Sequence, residues 1–327
     1  MPLYNAGKYV AVALDSILNQ DFQNWECILV EDGSEDETGV ICDRYAENDG
    51  RFRVFHVSNG GVSKARNIGL KESRGRFIAF VDSDDWVEKD FLSFLYNLIS
   101  RYGADVAQGS FRKEYRTFGR NKVLSDKETV LDKTTGLKEL LRDSSLPSFL
   151  WNKLFRRELL TASFPEGKVY EDFDAMSSWY KNIFKTVISP KIIYHYRMRR
   201  GSITSVNSAK NQKDFIDAYK RRAEIMHESI PEFFDSREKE SYLFVNFIKR
   251  AKYIARGEKD KFKREEGIRQ LQKEIKALKN PGIKKLGFKK WFRGHCLGNY
   301  PLMFTKLMRM SGLLDLHSRY CAKNYYE

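Results

Sequence analysis

The sequence predicts an α/β fold in which a mainly parallel sheet is flanked by helices and followed by a mostly helical, basic C-terminal region. Three observations lead to this prediction. Short apolar runs alternate with segments of helical periodicity up to about residue 111. Two of these apolar runs end in acidic residues. From about residue 208 onward, long charged helical segments replace the alternation. We therefore expect two domains, residues 1–205 and residues 206–327.

The first predicted element is an amphipathic helix. Its apolar residues recur at helical spacing, and they are Val10, Ala13, Leu14, Ile17 and Leu18. Helices are expected over residues 6–20, up to residue 48, over 64–72 and over 88–101, and strands over 25–30, 52–57, 77–81 and 105–111. Because each strand is followed by a helix, neighbouring strands are expected to run parallel. Later elements are a helix over 134–142, strands over 186–188 and 191–197, and helices over 210–229, 236–256 and 260–279.

Charge is distributed unevenly along the chain. Residues 1–200 contain 30 Lys and Arg against 29 Asp and Glu, whereas residues 201–327 contain 28 against 15. The first part is balanced, like an ordinary soluble enzyme domain. The second part presents a basic surface that suits an anionic lipid or another polyanion. Nucleic-acid binding is not expected, because it leaves the acidic residues of the first part without a role.

Two further properties concern location. No apolar run approaches the roughly 20 residues that span a bilayer. The four cysteines are widely spaced and form no Cys-x-x-Cys pair, which is typical of a reduced cytosolic protein. Lysines and arginines in residues 279–293 are interleaved with Trp and Phe, a pattern that favours peripheral contact with an anionic membrane. The alternative is a solvated basic helix.

An acidic cluster follows the predicted strand Phe77–Val81. Asp82, Asp84 and Asp85 stand within four residues of each other. The carboxyl end of a buried strand is where open α/β sheets bind ligands. Neighbouring carboxylates without a basic residue beside them favour a hard cation such as Mg²⁺ or Mn²⁺. The alternative is a solvated acidic turn that caps the next helix.

The predicted strand over residues 25–30 also ends in acids, Glu31 and Asp32, followed by a turn at Gly33. If both strands deliver their acids to one edge of the sheet, that edge is a candidate nucleotide and metal site. Lys64 and Arg66 lie in the first turn of a predicted helix, where cations oppose the helix dipole. Their position indicates an anionic ligand, or else an exposed loop with incidental charge.

Two later segments carry candidate residues. Glu171 and Asp172 begin a predicted helix, a position that the helix dipole alone favours for acids. Residues 194–202 form an aromatic and basic cluster that contains Arg197 and Arg200. Such a cluster can clamp a diphosphate, or it can be a solvated basic turn.

The chain resembles family 2 glycosyltransferases of the inverting type with the GT-A fold, in particular bacterial enzymes of capsule and exopolysaccharide assembly. The segments that carry the resemblance are Pro2–Asn5, Leu14–Gln20, Val30–Ser34, Asn59–Leu70, Phe80–Trp86, Trp151–Leu154, Tyr170–Asp172 and Tyr194–Arg197. Together they cover about residues 2–205. Each motif is weak alone, but their order along the chain is specific. The remainder of the chain carries no such motif.

The resemblance implies roles for individual residues. Asp84 corresponds to a direct metal ligand, and Asp82 to a contact with the ribose or the metal. Asp172 corresponds to the general base of a single displacement that inverts the anomeric centre. The nucleotide-sugar site would also include Tyr4, Glu31, Asp32, Lys64, Arg66, Ser83, Arg197 and Arg200. Within that set, Asp32 corresponds to the residue that contacts the uracil ring, and Arg197 and Arg200 are expected at the diphosphate.

The implied reaction is metal-dependent transfer of a sugar from a nucleoside-diphosphate sugar, here a UDP-sugar, with Mn²⁺ or Mg²⁺ bridging the diphosphate. The implied acceptor is a saccharide or a polyprenyl-linked saccharide in surface polysaccharide synthesis. The expected location is cytoplasmic, with peripheral contact at the inner face of the plasma membrane. The alternatives are a nucleotidyl- or phosphotransferase and a catalytically inactive homologue that binds a nucleotide sugar or a polyanion. A phosphotransferase needs a glycine-rich phosphate loop after its first strand, and the sequence contains none there.

Two features depart from the family pattern. Position 31 is Glu where the family usually has Asp. The family also has a strand ahead of the Pro-x-Tyr-Asn segment, which here is Pro2–Asn5. Without that strand we expect two unpaired sheet edges and low stability. A chain extended upstream of Met1 is then expected to melt at a higher temperature.

Overall fold

The structure, a computed structural model, describes residues 1–199, residues 211–279 and scattered positions between 293 and 308. The chain divides into two compact units, Met1–Met198 and Arg199–Glu327. The boundary predicted at residue 205 lies outside the described residues, as does Arg200.

Strands and helices alternate through the first unit. The strands are β1 (Pro2–Leu3), β2 (Cys27–Glu31), β3 (Phe52–His56), β4 (Phe77–Ala79), β5 (Trp86–Val87), β6 (Val106–Glu114), β7 (Gly119–Lys122), β8 (Thr129–Asp132), β9 (Lys153–Arg156) and β10 (Lys185–Arg197). The helices are α1 (Val10–Leu18), α2 (Thr38–Asn48), α3 (Val62–Glu72), α4 (Phe91–Tyr102), α5 (Lys133–Arg142) and α6 (Glu171–Trp179). A short 3₁₀ helix, Arg157–Leu159, follows β9.

The helices form where apolar residues recur at helical spacing. Helix α1 buries Val10, Ala13, Leu14 and Ile17, which is most of the predicted face. Helix α4 buries Phe91, Leu95, Leu98 and Ile99. It ends at Gly103, whose φ of 57° lies in the left-handed region that glycine adopts without steric cost.

The strands form two sheets. The first has three strands in the order β1-β2-β3, all parallel. The second has seven strands and the order β4-β9-β6-β10-β5, with β7 added to β6 and β8 to β10. In the second sheet, β6 and β10 are parallel, whereas β9 runs antiparallel to both β4 and β6.

The α/β class is confirmed, but the expectation of a mainly parallel sheet holds only for the first sheet. In the second sheet β9 inserts between β4 and β6, and β5 pairs antiparallel with β10. Strand β9 follows a long excursion, residues 115–152, that returns the chain in the opposite direction. The two predicted strands at 186–188 and 191–197 are one strand, β10, with register shifts between Ile188 and Tyr194.

A groove separates the two sheets. Strand β1 contains only two residues, and among the described residues no strand pairs with its other edge. A cavity of about 660 Å³ lies there, between the β1–β2 edge and β4, and it is flanked by α3 and α4. The Met1 amine donates a hydrogen bond to the carbonyl oxygen of Ile28 at 2.8 Å, inside this groove.

The second unit is helical where it is described. Its helices are α7 (Gln212–Ser229), α8 (Ser236–Gly257) and α9 (Lys261–Ala277), close to the predicted bounds. Apolar residues of α8 that the sequence interleaves with lysines and arginines are buried, among them Leu243, Phe247 and Ile254. In the described parts of the chain, no helix is both long and apolar enough to cross a membrane. Most of residues 279–293 lie outside the described residues.

Candidate active site

The predicted acidic cluster is the turn that joins β4 to β5, and we call Asp82–Asp85 the acid turn. Asp85 is 1% exposed and accepts hydrogen bonds from the Tyr194 hydroxyl and the Arg197 backbone N–H, both at 2.8 Å. Burial, together with the charges of Asp82 and Asp84, raises the pKa of the Asp85 carboxyl to about 9. Asp85 therefore anchors the turn to β10, while the side chain of Asp82 stays 28% exposed.

Arg66 connects the acid turn to helix α6. One of its terminal nitrogens lies 2.6 Å from a carboxylate oxygen of Glu171, and the other lies 3.3 Å from one of Asp82. Burial disfavours the charge of this guanidinium, but the carboxylates of Asp82, Glu171 and Asp172 outweigh it and raise the pKa of Arg66. The guanidinium of Arg66 therefore links the acid turn to the start of α6, although the two segments are far apart in the sequence.

Asp172, the predicted general base, lies in the first turn of α6 and is half-buried. The residue before the helix, Tyr170, has a φ of 68°, so the chain enters the helix through a left-handed residue that is not glycine. Non-glycine residues adopt this conformation rarely, and it recurs at functional sites. The structure brings Asp172, Arg66 and Asp82 into one cluster.

Arg197 lies at the opposite side of the acid turn. Its Nε donates to the carbonyl oxygen of Asp84 at 2.8 Å, and its guanidinium lies 4.7 Å from the ring centre of Trp86. The ring of Tyr9 lies 5.2 Å from the same guanidinium. These contacts hold a positive charge beside Asp84, where a diphosphate next to the acid turn would need one.

The first sheet contributes Asp32, which is 3% exposed. Its two carboxylate oxygens accept hydrogen bonds from the backbone N–H groups of Gly60 and Gly61, at 2.8 and 2.7 Å. Gly61 has a φ of 85°, which requires glycine at the start of α3. Asp32 therefore fixes the loop that precedes Lys64, and a contact of Asp32 with a nucleotide base remains a prediction.

The remaining predicted residues differ in their surroundings. Glu31 accepts a hydrogen bond from the backbone N–H of Ser34 at 2.6 Å and lies 3.5 Å from the His56 ring. These contacts support the turn after β2, so a nucleotide contact of Glu31 also remains a prediction. Tyr4 is 51% exposed, and Ser83 is half-buried in the acid turn. Lys64 has a weak hydrogen bond of 3.5 Å to the carbonyl of Ser58.

The acid turn carries the carboxylate oxygens that a hard cation prefers as ligands. Among the described residues, no group of three or more His, Cys, Asp or Glu is arranged to hold a metal. Burial and the neighbouring charge of Asp84 raise the pKa of Asp82, although Arg66 opposes this. Mg²⁺ is commonly held by one or two carboxylates together with substrate phosphates. Asp82 and Asp84 fit that mode, because a bound cation would relieve the repulsion between them.

Three functional features were not predicted from the sequence. Glu171 binds Arg66, Tyr194 bonds Asp85, and Lys153 is fully buried. The Lys153 ammonium donates to the carbonyl oxygens of Pro147 and Phe149, and burial lowers its pKa to about 7. Glu171 is a candidate residue from the sequence, but nothing in the sequence indicates Arg66 as its partner. A lysine in a short apolar strand gives no sign that its amine is buried.

The fold is shared with a known structure. Staphylococcus aureus TarS, residues 1–349 in complex with UDP-GlcNAc, superposes with a TM-score of 0.71 at 22% sequence identity. The match covers 100% of this chain and 91% of that chain. At this identity the similarity establishes the fold.

Sequence relatives give the class of the protein. Glycosyltransferase GlyA from Streptococcus pneumoniae is 34% identical over 239 residues, which are 69% of this chain and 34% of GlyA. Glycosyltransferase GlyG from the same organism is 33% identical over 216 residues, which are 62% of this chain and 71% of GlyG. The class is therefore glycosyltransferase. The chain belongs to glycosyl transferase family 2, whose family model matches residues 1–164.

Proposed function

We propose that the chain transfers a sugar from a UDP-sugar to a saccharide or lipid-linked acceptor, in a metal-dependent reaction that inverts the anomeric centre. One observation carries this proposal: Arg66 lies 3.3 Å from Asp82 and 2.6 Å from Glu171. These two contacts support a diphosphate site at the acid turn and a base on α6 within one cluster. A displacement needs the leaving group and the attacking oxygen on opposite faces of the sugar, with both close to it.

The donor would be held by both sheets. TarS in complex with UDP-GlcNAc supports a UDP-sugar as the donor class. In this chain Asp32 lies at the end of β2 and would face the uracil, with Tyr4 and Lys64 beside it. Arg197 would hold the diphosphate, because its guanidinium lies beside the carbonyl of Asp84. Arg200 lies outside the described residues and remains a prediction.

Asp82 and Asp84 would hold Mn²⁺ or Mg²⁺ together with the diphosphate of the donor. The cation supplies charge neutralisation for the departing diphosphate. Residues of the chain would hold the acid turn and its carboxylates in position. Asp85 keeps the acid turn on β10 through Tyr194, and Arg66 keeps Asp82 oriented toward α6.

Asp172 would act as the general base. It would accept the proton of the acceptor hydroxyl as that oxygen attacks the anomeric carbon. Glu171 forms the ion pair with Arg66, and Asp172, the next residue of this helix turn, is the one to which the resemblance assigns the proton transfer. This role follows the resemblance and the position of Asp172 within the cluster.

The charge of the C-terminal region supports a proposal for the acceptor and the location. The 28 basic against 15 acidic residues in 201–327 support peripheral contact with an anionic membrane at the cytoplasmic face of the plasma membrane. Such contact would bring a polyprenyl-linked acceptor to the site. Most apolar residues of α8 and α9 are buried, with Tyr253 and Phe262 as exposed exceptions, so the contact would be mainly electrostatic.

The test is UDP release from a panel of UDP-sugars, with Mn²⁺ or with a chelator. We expect one donor to be hydrolysed only with metal, and Asp84→Asn to abolish that release. Asp126→Asn is the matched control, because Asp126 is exposed and remote from the acid turn in sequence. Metal-independent release, or equal release by Asp84→Asn, would contradict the proposal. Binding of UDP without any turnover would favour the inactive homologue.

A further inference from the structure

The hairpin formed by β6 and β7 carries concentrated positive charge. Residues 112–122 contain five basic residues and one acid. That acid, Glu114, is already engaged by Arg112 at 3.1 Å and by the His195 ring at 2.7 Å. The other four cations form no ion pair with the described residues, and they are Lys113, Arg116, Arg120 and Lys122. Because residues 1–200 are nearly neutral as a whole, this local excess stands out.

The hairpin lies at the same end of the sheet as the acid turn. Strand β10 lies between β6 and β5, with Arg197 opposite Glu114 and His195 opposite Trp86. Trp86 directly follows the acid turn. Neighbouring strands are about 4.8 Å apart, so two spacings put the hairpin base about 10 Å from the backbone of Trp86. The hairpin therefore borders the proposed reaction site.

A cavity of about 610 Å³ lies beside the hairpin. Lys113 and Lys122 line one side, and Ser144, Ser145 and Phe149 line the other. This volume is in the range of sites that hold small ligands. A concave site of this size suits one or two units of a polymer, whereas a membrane leaflet needs a broad convex or flat surface.

One carboxylate, that of Asp143, also lines the cavity. An oxygen of Asp143 accepts hydrogen bonds from the backbone N–H and the hydroxyl of Ser148, at 2.9 and 2.8 Å. The negative charge of Asp143 also favours the charged form of the buried Lys153 amine, against the effect of burial. The carboxylate is therefore partly compensated, and the two lysines leave the cavity with a positive balance.

Aromatic side chains join this cavity to the acid turn. Phe149 stacks on Trp151 at 4.9 Å between ring centres, and Trp151 stacks on Tyr194 at 4.4 Å. The Tyr194 hydroxyl bonds Asp85 at 2.8 Å. Trp151 and Tyr194 are 7% and 0% exposed, so this stack lies inside the protein and fixes the cavity wall relative to the acid turn. Of the three rings, Phe149, which is 37% exposed, is the one against which a sugar ring can pack.

We propose that this cavity binds an acceptor whose repeating units carry phosphate groups, with Lys113 and Lys122 as the residues that recognise the phosphate. Lysine ammonium groups bind phosphate as point charges. The hydroxyls of Ser144 and Ser145 donate to the Glu139 carboxylate at 3.3 and 2.5 Å, so the two lysines supply the contacts to the phosphate. Arg116 and Arg120 extend the positive surface toward the next unit. The inference rests on the proposed function, since it names the acceptor class for that reaction.

The test measures binding of a short soluble poly(glycerol phosphate), with neutral dextran as the uncharged probe. The variant is Lys113→Glu/Lys122→Glu, and the control is Arg44→Glu/Lys71→Glu, which changes the net charge equally on α2 and α3. We expect the wild type to bind the phosphate polymer and not dextran, and the cavity variant to bind it about tenfold or more weakly. We expect the control to stay within about twofold of the wild type, because its charges are distant and screened.

Several results would overturn the inference. Equal weakening by both variants would mean that net charge alone attracts the polymer. Binding to vesicles of anionic lipid but not to the soluble polymer would assign the hairpin to a membrane surface, where Phe118, 41% exposed at its tip, could insert. Lys113→Ala/Lys122→Ala repeats the measurement if the reversed-charge variant does not fold. Absence of UDP release by the wild type would instead overturn the proposed function, because the binding assay needs no turnover.

Discussion

The guanidinium of Arg66 lies 2.6 Å from the carboxylate of Glu171, although the two residues are 105 positions apart in the sequence. The same guanidinium reaches Asp82 at 3.3 Å. Its side chain is only 10% exposed, so the ion pairs are shielded from solvent. Arg66 therefore fixes the acid turn relative to α6.

Removing Arg66 should destabilise the chain. In Arg66→Met, the carboxylates of Asp82, Glu171 and Asp172 lose their shared cation in a buried place. We expect the free energy of unfolding, measured by urea denaturation, to fall by about 3 kcal/mol. Arg66→Met/Glu171→Gln should recover part of this loss, because it removes one uncompensated carboxylate. Arg74→Met is the control on an exposed residue, and equal losses in both single variants would contradict the role of Arg66.

Asp32→Asn should loosen the loop before α3. Both carboxylate oxygens accept backbone N–H groups, from Gly60 and Gly61, and the amide of asparagine offers one acceptor and one donor. The side-chain N–H group of the asparagine would then face the backbone N–H of Gly60 or Gly61, and that pair could form no hydrogen bond. We expect a loss of about 1–3 kcal/mol in the free energy of unfolding and weaker UDP binding by calorimetry. Unchanged stability and unchanged affinity would show that the loop does not depend on Asp32.

The buried amine of Lys153 should make the free energy of unfolding depend on pH. Burial lowers its pKa in the folded chain to about 7, below the usual lysine value. Above this pH the unfolded chain binds one proton more than the folded chain, so stability rises with pH. The slope should reach about 1.4 kcal/mol per pH unit in the window between about pH 7 and pH 10.

The measurement for Lys153 is urea denaturation across that window. Lys153→Met should abolish the slope, whereas Lys71→Met, at an exposed position of α3, should keep it. A slope that survives in Lys153→Met would assign the pH dependence to another group.

We expect the groove between the two sheets to accept a strand that is added before Met1. The backbone N–H of Val30 donates to the Met1 carbonyl at 3.0 Å, so a segment placed before Met1 would continue along β2 into the 660 Å³ cavity. Burial lowers the pKa of the Met1 amine, because the charged form is costly in this place, and a peptide N–H there has no charged form to bury. An added segment of about six Val, Ile and Thr residues should pair with β2 and raise the melting temperature by about 5 °C.

The matched control for this extension is a Gly and Ser segment of the same length. It adds the same number of residues without strand propensity or apolar side chains. Equal melting temperatures for the two extensions would show that the groove does not accept a strand.

Much of the fold follows from local patterns in the sequence. The acids after β2 and β4 were predicted because an apolar run followed by aspartates is typical of a strand that ends at a sheet edge. The helices α1 and α4 follow from periodic apolar residues. The mixed order of the second sheet could not be predicted, since the insertion of β9 depends on contacts with β4 and β6 that are remote in sequence.

Individual side chains of the site were harder to predict. The pattern Asp-x-Asp-Asp does not indicate that Asp85 is buried while Asp82 is partly exposed. That difference comes from Tyr194 and the Arg197 backbone, more than 100 residues later. Likewise Glu171 and Asp172 are neighbours on one helix turn, and only the tertiary position of Arg66 distinguishes them.

The central claim is that Asp172 and the acid turn form one catalytic site with separate roles. The most direct measurement compares Asp172→Asn with the wild type in metal-dependent UDP release and in UDP affinity by calorimetry. Loss of a general base typically slows a reaction by about 10² to 10⁴-fold. The account predicts a loss of that size in UDP release with unchanged UDP affinity. UDP release equal to that of the wild type would contradict it.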